Sequence, residues 1–336
     1  MQYRPPRTVS NEKKNGYLLT TNCLPLRKNY IPSHTMNNVW FYIQLMRPKQ
    51  WVKNFFVFAP LVFSLELFHP SPFVEAFRAF LAFCLTASSV YIINDIADVE
   101  ADRAHPVKRN RPLAARMISV QQAYISLAVL LALAAILAFN MDLRFQIVLI
   151  TYFAINLAYS LKLKNVVLLD VFIIATGFML RVLGGAYAID VQVSSWIVLC
   201  TMFISLFLGF AKRRGEIVMT QQQGIGSERK VLLLYRVEFI DQMLTIAAAG
   251  AVVSYALYTV APRTLEILRT DKMIYTTVFV IYGIFRYLYL VHMTESTENP
   301  TRAVTTDRTI LATGLLWITT CIALIYSGGT FGFFTK

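Results

Sequence analysis

Long apolar runs separated by short polar segments dominate this chain. An α-helix rises about 1.5 Å per residue, so about 20 apolar residues cross the 30 Å hydrocarbon core of a membrane. The runs are continuous rather than alternating, which favours helices over a β-barrel. The pattern predicts nine transmembrane helices, at 51–68, 73–93, 119–140, 144–161, 166–188, 193–211, 239–261, 273–292 and 309–332. Pro60 interrupts the first of them, and 39–47 is predicted to be an interfacial helix that ends before Pro48.

Composition supports a membrane protein. Of the 336 residues, 56% are apolar and 15% are charged, whereas soluble domains have about 45–50% and about 25%. This excess excludes a soluble enzyme, an intrinsically disordered chain and a small disulfide-stabilised secreted domain. The predicted fold class is an all-α polytopic membrane protein. We expect one membrane domain at 39–336, preceded by a basic, disordered tail at 1–38.

The distribution of Lys and Arg predicts which ends of the helices face the cytoplasm. They concentrate in the segments 1–53, 94–118, 162–165 and 212–238. The turns at 69–72 and 189–192 have none. By the positive-inside rule the basic segments and the N-terminus are cytoplasmic, and nine spans put the C-terminus outside. The net charge of +13 is thereby explained by topology, and no nucleic-acid partner is expected.

An acidic cluster follows the second predicted span. Asp95, Asp98 and Asp102 are spaced by three and four residues, so a continuous helix would place them on one face, with Asn94 beside them. Carboxylates on one face repel each other unless a cation lies among them. The ligands are all oxygen, which favours Mg²⁺, or Mn²⁺, bridging to a phosphate group. The alternative is a solvated acidic loop helix.

Basic residues follow the acidic cluster. Residues 103–111 carry several cations, and Arg111 stands directly before Pro112. Guanidinium groups bind phosphate through paired hydrogen bonds, so a metal site beside a basic arm suits a polyanionic substrate. The alternative is a loop made basic by membrane topology alone.

The fifth predicted span carries two charged residues. Asp170 and Arg181, eleven residues apart on the fifth span, are predicted to lie within roughly 20° of one face. An intramembrane Arg is costly, so Arg181 is expected either to bind a lipid phosphate or to pair with an acid on another helix. The pair Gly184-Gly185 is expected to permit close helix packing.

The motif Asn-Asp-x-x-Asp-x-x-x-Asp at 94–102, followed by Arg-Pro-Leu, resembles the first aspartate-rich motif of the UbiA superfamily of intramembrane prenyltransferases. The resemblance implies nine helices around a central cavity, with a Mg²⁺–diphosphate site at its cytoplasmic mouth. Tyr159 with Lys162 and Lys164 resembles that superfamily's Tyr-x-x-x-Lys element, although position 163 is Leu. Tyr159 would donate to a phosphate oxygen, and which lysine faces the cavity stays open. The alternative is an interfacial Tyr with two snorkelling lysines.

Two other segments resemble one branch of the superfamily. Met-Arg-Pro-Lys-Gln-Trp-Val-Lys-Asn at 46–54 and Lys-Arg-Arg-Gly-Glu at 212–216 are similar to the decaprenyl-phosphate phosphoribosyltransferases. The second segment stands where aromatic prenyltransferases carry a second aspartate-rich motif. An added phosphate site is therefore favoured, and whether one or two metal ions bind stays open. Two of the cations Lys212, Arg213 and Arg214 would share a face, with Glu216 as the one carboxylate.

The branch implies a reaction and a set of site residues. Phosphoribosyl pyrophosphate (PRPP) would donate 5-phosphoribose to a polyprenyl phosphate in the cytoplasmic membrane, giving a precursor for arabinan-type cell-envelope polymers. Asp95, Asp98 and Asp102 would hold the metal, with Asn94 assisting. The remaining cations expected to hold phosphates are Lys53, Arg111, Lys212 and Arg213.

Two other functions remain as alternatives. An aromatic prenyltransferase, such as a 4-hydroxybenzoate polyprenyltransferase, would share the first motif and Mg²⁺. A lipid transporter would place its coupling charges near the bilayer midplane rather than at one mouth. Prenyl chain length and homo-oligomer formation are left open by the sequence.

Overall fold

The computed structural model describes residues 37–105, 108–223, 230–293 and 306–326. Within these ranges every regular element is helical. We number the α-helices in chain order: α1 (Asn37–Met46), α2 (Ala59–Phe63), α3 (Pro70–Ala97), α4 (Val99–Ala104), α5 (Val120–Phe139), α6 (Leu143–Leu161), α7 (Leu169–Ala188), α8 (Ser195–Gln223), α9 (Val237–Val260), α10 (Pro262–Leu268), α11 (Thr277–Met293) and α12 (Arg308–Tyr326). Five 3₁₀ segments lie between them, at Pro48–Phe58, Lys108–Asn110, Leu163–Asn165, Lys230–Leu234 and Lys272–Thr276.

Eight helices in the described ranges are long and apolar enough to cross a membrane. They are α3, α5, α6, α7, α8 up to Thr220, α9, α11 with the 3₁₀ turn that precedes it, and α12. Each corresponds to one of the predicted spans. The all-α membrane fold is thereby confirmed, whereas the predicted count of nine is not. Most of the predicted tail at 1–38 lies outside the described residues, so that division of the chain stays a prediction.

The predicted α-helical span at 51–68 is wrong in its local structure. The chain forms a 3₁₀ helix at Pro48–Phe58 and then the short α2. Pro60 has no N–H to give to the carbonyl of Phe56, and the N–H of Ala59 bonds that carbonyl instead, in a 3₁₀ turn. At about 2.0 and 1.5 Å per residue the two pieces together extend roughly 30 Å.

This 3₁₀ segment is buried against α3 and α7. Val57 and Leu61 are fully buried, and the indole of Trp51 donates to the hydroxyl of Ser88 on α3, 3.1 Å away. On α7 a Cβ added to Gly185 would lie 2.0 Å from the backbone oxygen of Val57. The expected close packing at Gly184-Gly185 is confirmed, and its partner is the 3₁₀ segment.

Helix α8 is longer than predicted. The sequence placed its end at 211 and the cations 212–214 in a loop, but α8 continues to Gln223. Arg213 pairs with Asp170 on α7 and Arg214 pairs with Asp241 on α9, so this part of α8 is held against both neighbours. The Lys-Arg-Arg-Gly-Glu segment is therefore helical.

The two ends of the bundle differ in chemistry. Since α3, α6 and α8 run toward one end and α7 and α9 start from it, Asp95, Asp170 and Arg213 are brought to the same end. The opposite end holds a cleft of about 270 Å³, whose lining includes Phe63, Tyr258 and Arg263. The predicted site residues therefore gather at the first of these ends.

Candidate active site at the charged helix ends

One arginine joins two buried carboxylates at the charged end. Asp95 lies in the last turn of α3 and Asp102 in α4, and they are 2% and 3% exposed. The Nη1 atom of Arg111 lies 2.5 Å from Oδ2 of Asp102 and 3.2 Å from Oδ1 of Asp95. A positive group is therefore already held between the two carboxylates.

The continuous helix expected to carry the three aspartates is interrupted at Asp98. Helix α3 ends at Ala97, and Asp98 caps it with φ −98° and ψ 10°, outside helical geometry. Asp95 and Asp102 both contact Arg111, whereas the side chain of Asp98 is 47% exposed. Within the described ranges no three His, Cys, Asp or Glu side chains are close enough together to hold a metal ion. Asn94 lies half-buried in the last turn of α3.

A second arginine, not predicted as a site residue, also binds Asp95. Arg47 connects α1 to the 3₁₀ segment with a left-handed backbone, φ 53°, a strained conformation for a residue with a side chain. Its guanidinium forms an ion pair with Asp95 and lies over the ring of Tyr91, 5.0 Å from the centroid. The carboxylate of Asp95 is thus shared by two cations.

The structure distinguishes the two candidate lysines. Helix α6 ends at Leu161, and the 3₁₀ turn Leu163–Asn165 follows it. This turn brings Nζ of Lys164 to 3.9 Å from Oδ2 of Asp98, whereas Lys162 is exposed. Lys164 therefore joins the acidic cluster.

Arg213 is completely buried. Its Nε lies 2.5 Å from Oδ2 of Asp170, and its Nη1 lies 2.6 Å from Oε2 of Glu216. Its Nη2 also donates to the hydroxyl of Tyr159, 3.3 Å away. The hydroxyl of Tyr235 donates to Asp170, 2.9 Å away. Arg213 therefore connects α6, α7 and α8 below the surface of the charged end.

The other two cations of the segment point in different directions. Lys212 is 41% exposed, with its Nζ 3.8 Å from Oε1 of Glu216. Arg214 bonds Asp241 on α9 at 2.7 Å and the backbone oxygen of Val291 on α11 at 2.9 Å. Lys212 is therefore the most accessible of the three, and Arg214 faces away from the acidic cluster.

Arg181 and Lys53 lie farther from the helix ends. The guanidinium of Arg181 donates to Asn54 Oδ1 at 2.6 Å, to Tyr152 Oη at 2.7 Å and to the oxygen of Gly177 at 2.7 Å. Lys53 is half-buried on the neighbouring 3₁₀ segment. Although Asp170 and Arg181 share α7, they lie at different depths and contact different side chains.

The sequence matches a known family over most of its length. The model of the UbiA prenyltransferase family matches residues 55–306. The chain belongs to this family. It is an integral membrane protein and a transferase enzyme.

Two curated relatives of this UbiA protein carry the same name. Decaprenyl-phosphate phosphoribosyltransferase of Mycolicibacterium smegmatis is 35% identical over 294 residues, which cover 84% of this chain and 92% of the relative. The protein of the same name from Corynebacterium glutamicum is 38% identical over 220 residues, 64% of this chain and 66% of the relative.

Solved structures of UbiA proteins share the fold. A UbiA homologue from Archaeoglobus fulgidus, bound to GPP and Mg²⁺, has a TM-score of 0.64 with 19% identity, over 86% of this chain and 99% of that chain. Digeranylgeranylglyceryl phosphate synthase has a TM-score of 0.61 with 20% identity, over 85% and 99%. At this identity the likeness establishes the fold.

The sequence pattern missed several polar residues of this UbiA site. The sequence does hold a signal for Arg47. An Arg-Pro pair between two helical elements favours an irregular backbone, and such a backbone can direct a side chain inward. Asp170 was predicted to share a helix face with Arg181, but its ion-pair partner is Arg213, which lies 43 residues farther along the sequence. Asn54 and Tyr152 lie inside apolar runs, where a single polar residue gives no indication of its partner.

Proposed function

We propose that this protein transfers 5-phosphoribose from PRPP to a polyprenyl phosphate, releasing pyrophosphate, in a magnesium-dependent reaction. The observation that carries the proposal is the charged end of the bundle. Two carboxylates and three cations lie there: those of Asp95 and Asp102, and those of Arg111, Lys164 and Lys212. The name of the relatives at 35–38% identity supports the same reaction.

The carboxylates fit a divalent cation. Mg²⁺ is usually bound by one or two carboxylates together with waters and substrate phosphates, and Asp95 and Asp102 offer two oxygen donor groups. The guanidinium nitrogen of Arg111 already occupies a cationic position between them. We infer that Asp95 and Asp102 hold the metal, with Asp98 and Asn94 at its edge. When bound, Mg²⁺, or Mn²⁺ in its place, would neutralise charge on the leaving pyrophosphate.

Arg111 would then have a second role. With a metal between the carboxylates, its guanidinium is released to bind a phosphate, which it does through two parallel N–H donors. Lys164 beside Asp98 and Lys212 beside Glu216 are the other exposed or half-exposed cations for this purpose. Arg213 is buried among Asp170, Glu216 and Tyr159, so we assign it to positioning these groups rather than to direct phosphate contact.

The chemistry needs no general base. A phosphate oxygen of the lipid is already anionic and attacks C1 of the ribose, forming a C–O bond. The bond from C1 to the pyrophosphate oxygen breaks, and its electron pair leaves with pyrophosphate. The residues of this chain would act by positioning two anionic substrates and by offsetting their repulsion.

The proposed reaction fixes an orientation. PRPP is a soluble polyanion, so the charged end would face the cytoplasm, in agreement with the Lys and Arg distribution and the positive-inside rule. The membrane would be the cytoplasmic (inner) membrane, with the N-terminus inside.

The test is a transfer assay. Purified protein is incubated with Mg²⁺, polyprenyl phosphate and PRPP labelled in the ribose, and the lipid is extracted into organic solvent. We expect label in the lipid phase, lost on adding EDTA and restored by excess Mg²⁺. No transfer from PRPP, together with prenylation of an aromatic acid from prenyl diphosphate, would overturn the proposal in favour of an aromatic prenyltransferase.

A further inference from the structure

Three cations lie in series inward from the acidic cluster. Arg47 contacts Asp95 near the helix ends, and Arg181 lies deeper on α7. Lys53 precedes Asn54, which bonds Arg181, and in a 3₁₀ helix it shares a face with Phe56, which packs against Phe178 of α7. We call Lys53 and Arg181 the inner cationic pair.

The charge of Arg181 is fixed in place but not neutralised. Its three hydrogen-bond partners, Asn54, Tyr152 and Gly177, supply neutral oxygens. The rings of Tyr152 and Phe178 lie 4.7 and 5.2 Å from its guanidinium carbon. Two of the five guanidinium N–H donors are not used by these three bonds. A buried arginine with only neutral partners retains its full positive field.

Lys53 adds a second uncompensated charge. No carboxylate of the described residues lies within 4.0 Å of its ammonium group, whereas Arg47 has Asp95. Burial is the main reason that this ammonium is costly to hold without an anion, and the positive charges of Arg181 and Arg47 add to that cost. Two like charges kept together in a membrane protein therefore indicate a preformed site for an anionic group.

Depth decides which substrate group reaches this site. Nη1 of Arg181 bonds the oxygen of Gly177, which lies seven residues after Asp170, or about 10 Å farther from the charged end. The proposed carboxylate site would hold the pyrophosphate of PRPP at that end. In a direct displacement the nucleophile approaches C1 from the side opposite to the leaving group, so the attacking phosphate comes from the inner side.

The surroundings of the inner pair suit a lipid. Phe56 follows Lys53 along the 3₁₀ segment and packs edge-on against Phe178 of α7, with ring centroids 5.0 Å apart. A phosphate monoester with a long apolar chain would match both the cations and these rings. PRPP has no apolar part to place there.

We propose that the inner cationic pair binds the phosphate of the polyprenyl acceptor, with Lys53 as the direct contact and Arg181 held beside it by Asn54 and Tyr152. The proposal rests on the proposed function for the identity of the second substrate. It places the lipid head group inward of the acidic cluster rather than at the mouth.

The first test measures binding without chemistry. Thermal stabilisation in detergent is measured with polyprenyl phosphate, with the polyprenol of the same chain length and with inorganic phosphate, in the absence of PRPP and Mg²⁺. We expect the lipid phosphate to stabilise the wild-type protein well beyond the other two. Lys53→Gln should remove this difference, and Lys53→Arg, which keeps the charge, should restore most of it. The matched control is Lys49→Gln, at an exposed position of the same 3₁₀ segment.

The second test separates the two substrates by kinetics. We expect Lys53→Gln to raise the KM for polyprenyl phosphate at least tenfold and the KM for PRPP less than threefold, with Lys49→Gln unchanged. Two results would overturn the inner lipid site while leaving phosphoribosyl transfer intact. One is a rise in the KM for PRPP alone, and the other is equal stabilisation of the wild-type protein by polyprenol and polyprenyl phosphate. Failure of the wild-type protein to use PRPP would overturn the proposed function instead, and the binding comparison would still decide whether the pair holds a lipid phosphate.

Discussion

Arg213 on α8 and Asp170 on α7 form an ion pair in which both side chains are completely buried, with Nε and Oδ2 2.5 Å apart. Tyr235 donates to the same aspartate from the segment before α9, and its hydroxyl accepts the N–H of Leu168. Leu168 has a positive φ of 65° just before α7 begins. The pair thus anchors the start of α7 to the end of α8.

Asp170→Asn should destabilise the protein strongly. Removing one partner of a buried ion pair leaves an uncompensated charge and costs about 3–5 kcal/mol. The measurement is thermal unfolding in detergent. Arg144→Ala is the control, because its ion pair with Asp142 is exposed, and exposed pairs contribute little. An equal effect of both variants would contradict the structural importance of the buried pair.

Asp98→Asn should remove activity without affecting folding. Asp98 is half-exposed, and its ion-pair contact among the described residues is 3.9 Å long, so its loss costs little stability, unlike that of buried Asp95 or Asp102. If its oxygens lie at the metal edge, turnover should fall about 100-fold or more, with an unchanged melting temperature. Glu100→Gln is the control on the same acidic segment, with a side chain that is 81% exposed. Full activity of folded Asp98→Asn would remove Asp98 from the metal site.

Lys164→Ala and Lys162→Ala should differ. Lys164 lies beside Asp98, whereas Lys162 is exposed. Losing a charge-assisted contact of about 1.5–3 kcal/mol should raise the KM for PRPP about tenfold or more in Lys164→Ala. Lys162→Ala should leave it unchanged. The measurement is the KM for PRPP of each variant in the transfer assay at saturating polyprenyl phosphate. A larger effect of Lys162→Ala would mean that Lys162, rather than Lys164, contacts PRPP.

Gly185→Ala should destabilise the packing between the 3₁₀ segment and α7. The added methyl group would lie 2.0 Å from the backbone oxygen of Val57, and backbone cannot move aside as a flexible side chain does. We expect a loss of about 1–3 kcal/mol, seen as a lower melting temperature. Gly283→Ala is the matched control, because nothing lies within 4 Å of the added methyl group. Tolerance of both substitutions would mean that the segment can shift away from α7.

Much of the fold could be predicted because span length is set by membrane thickness, and apolar runs of that length stand out at once. In the described part of the chain, eight helices appear where the runs are. The first segment differs: Pro60 was recognised as an interruption, but the 3₁₀ geometry of the preceding residues 48–58 has no signal in the apolar pattern. The acidic cluster could be predicted from spacing, but the ion pairs of Asp95 and Asp102 with Arg111 could not, because Arg111 lies outside the helix. Arg213 was predicted to hold a phosphate, and its burial against Asp170 has no signal in the sequence because the two residues are far apart along the chain.

The length of α8 has a consequence for how this protein tolerates insertions and deletions. Its 29 residues extend about 43 Å, longer than the roughly 30 Å hydrocarbon core, and the cations 212–214 lie about 27 Å along this helix. Deleting one residue of α8 before Lys212 would rotate the rest of the helix by about 100° and shift it by about 1.5 Å. Arg213 would then turn away from Asp170 even though every side chain of the site were retained. The ion pair therefore depends on the spacing within α8 as well as on the identity of its charged residues.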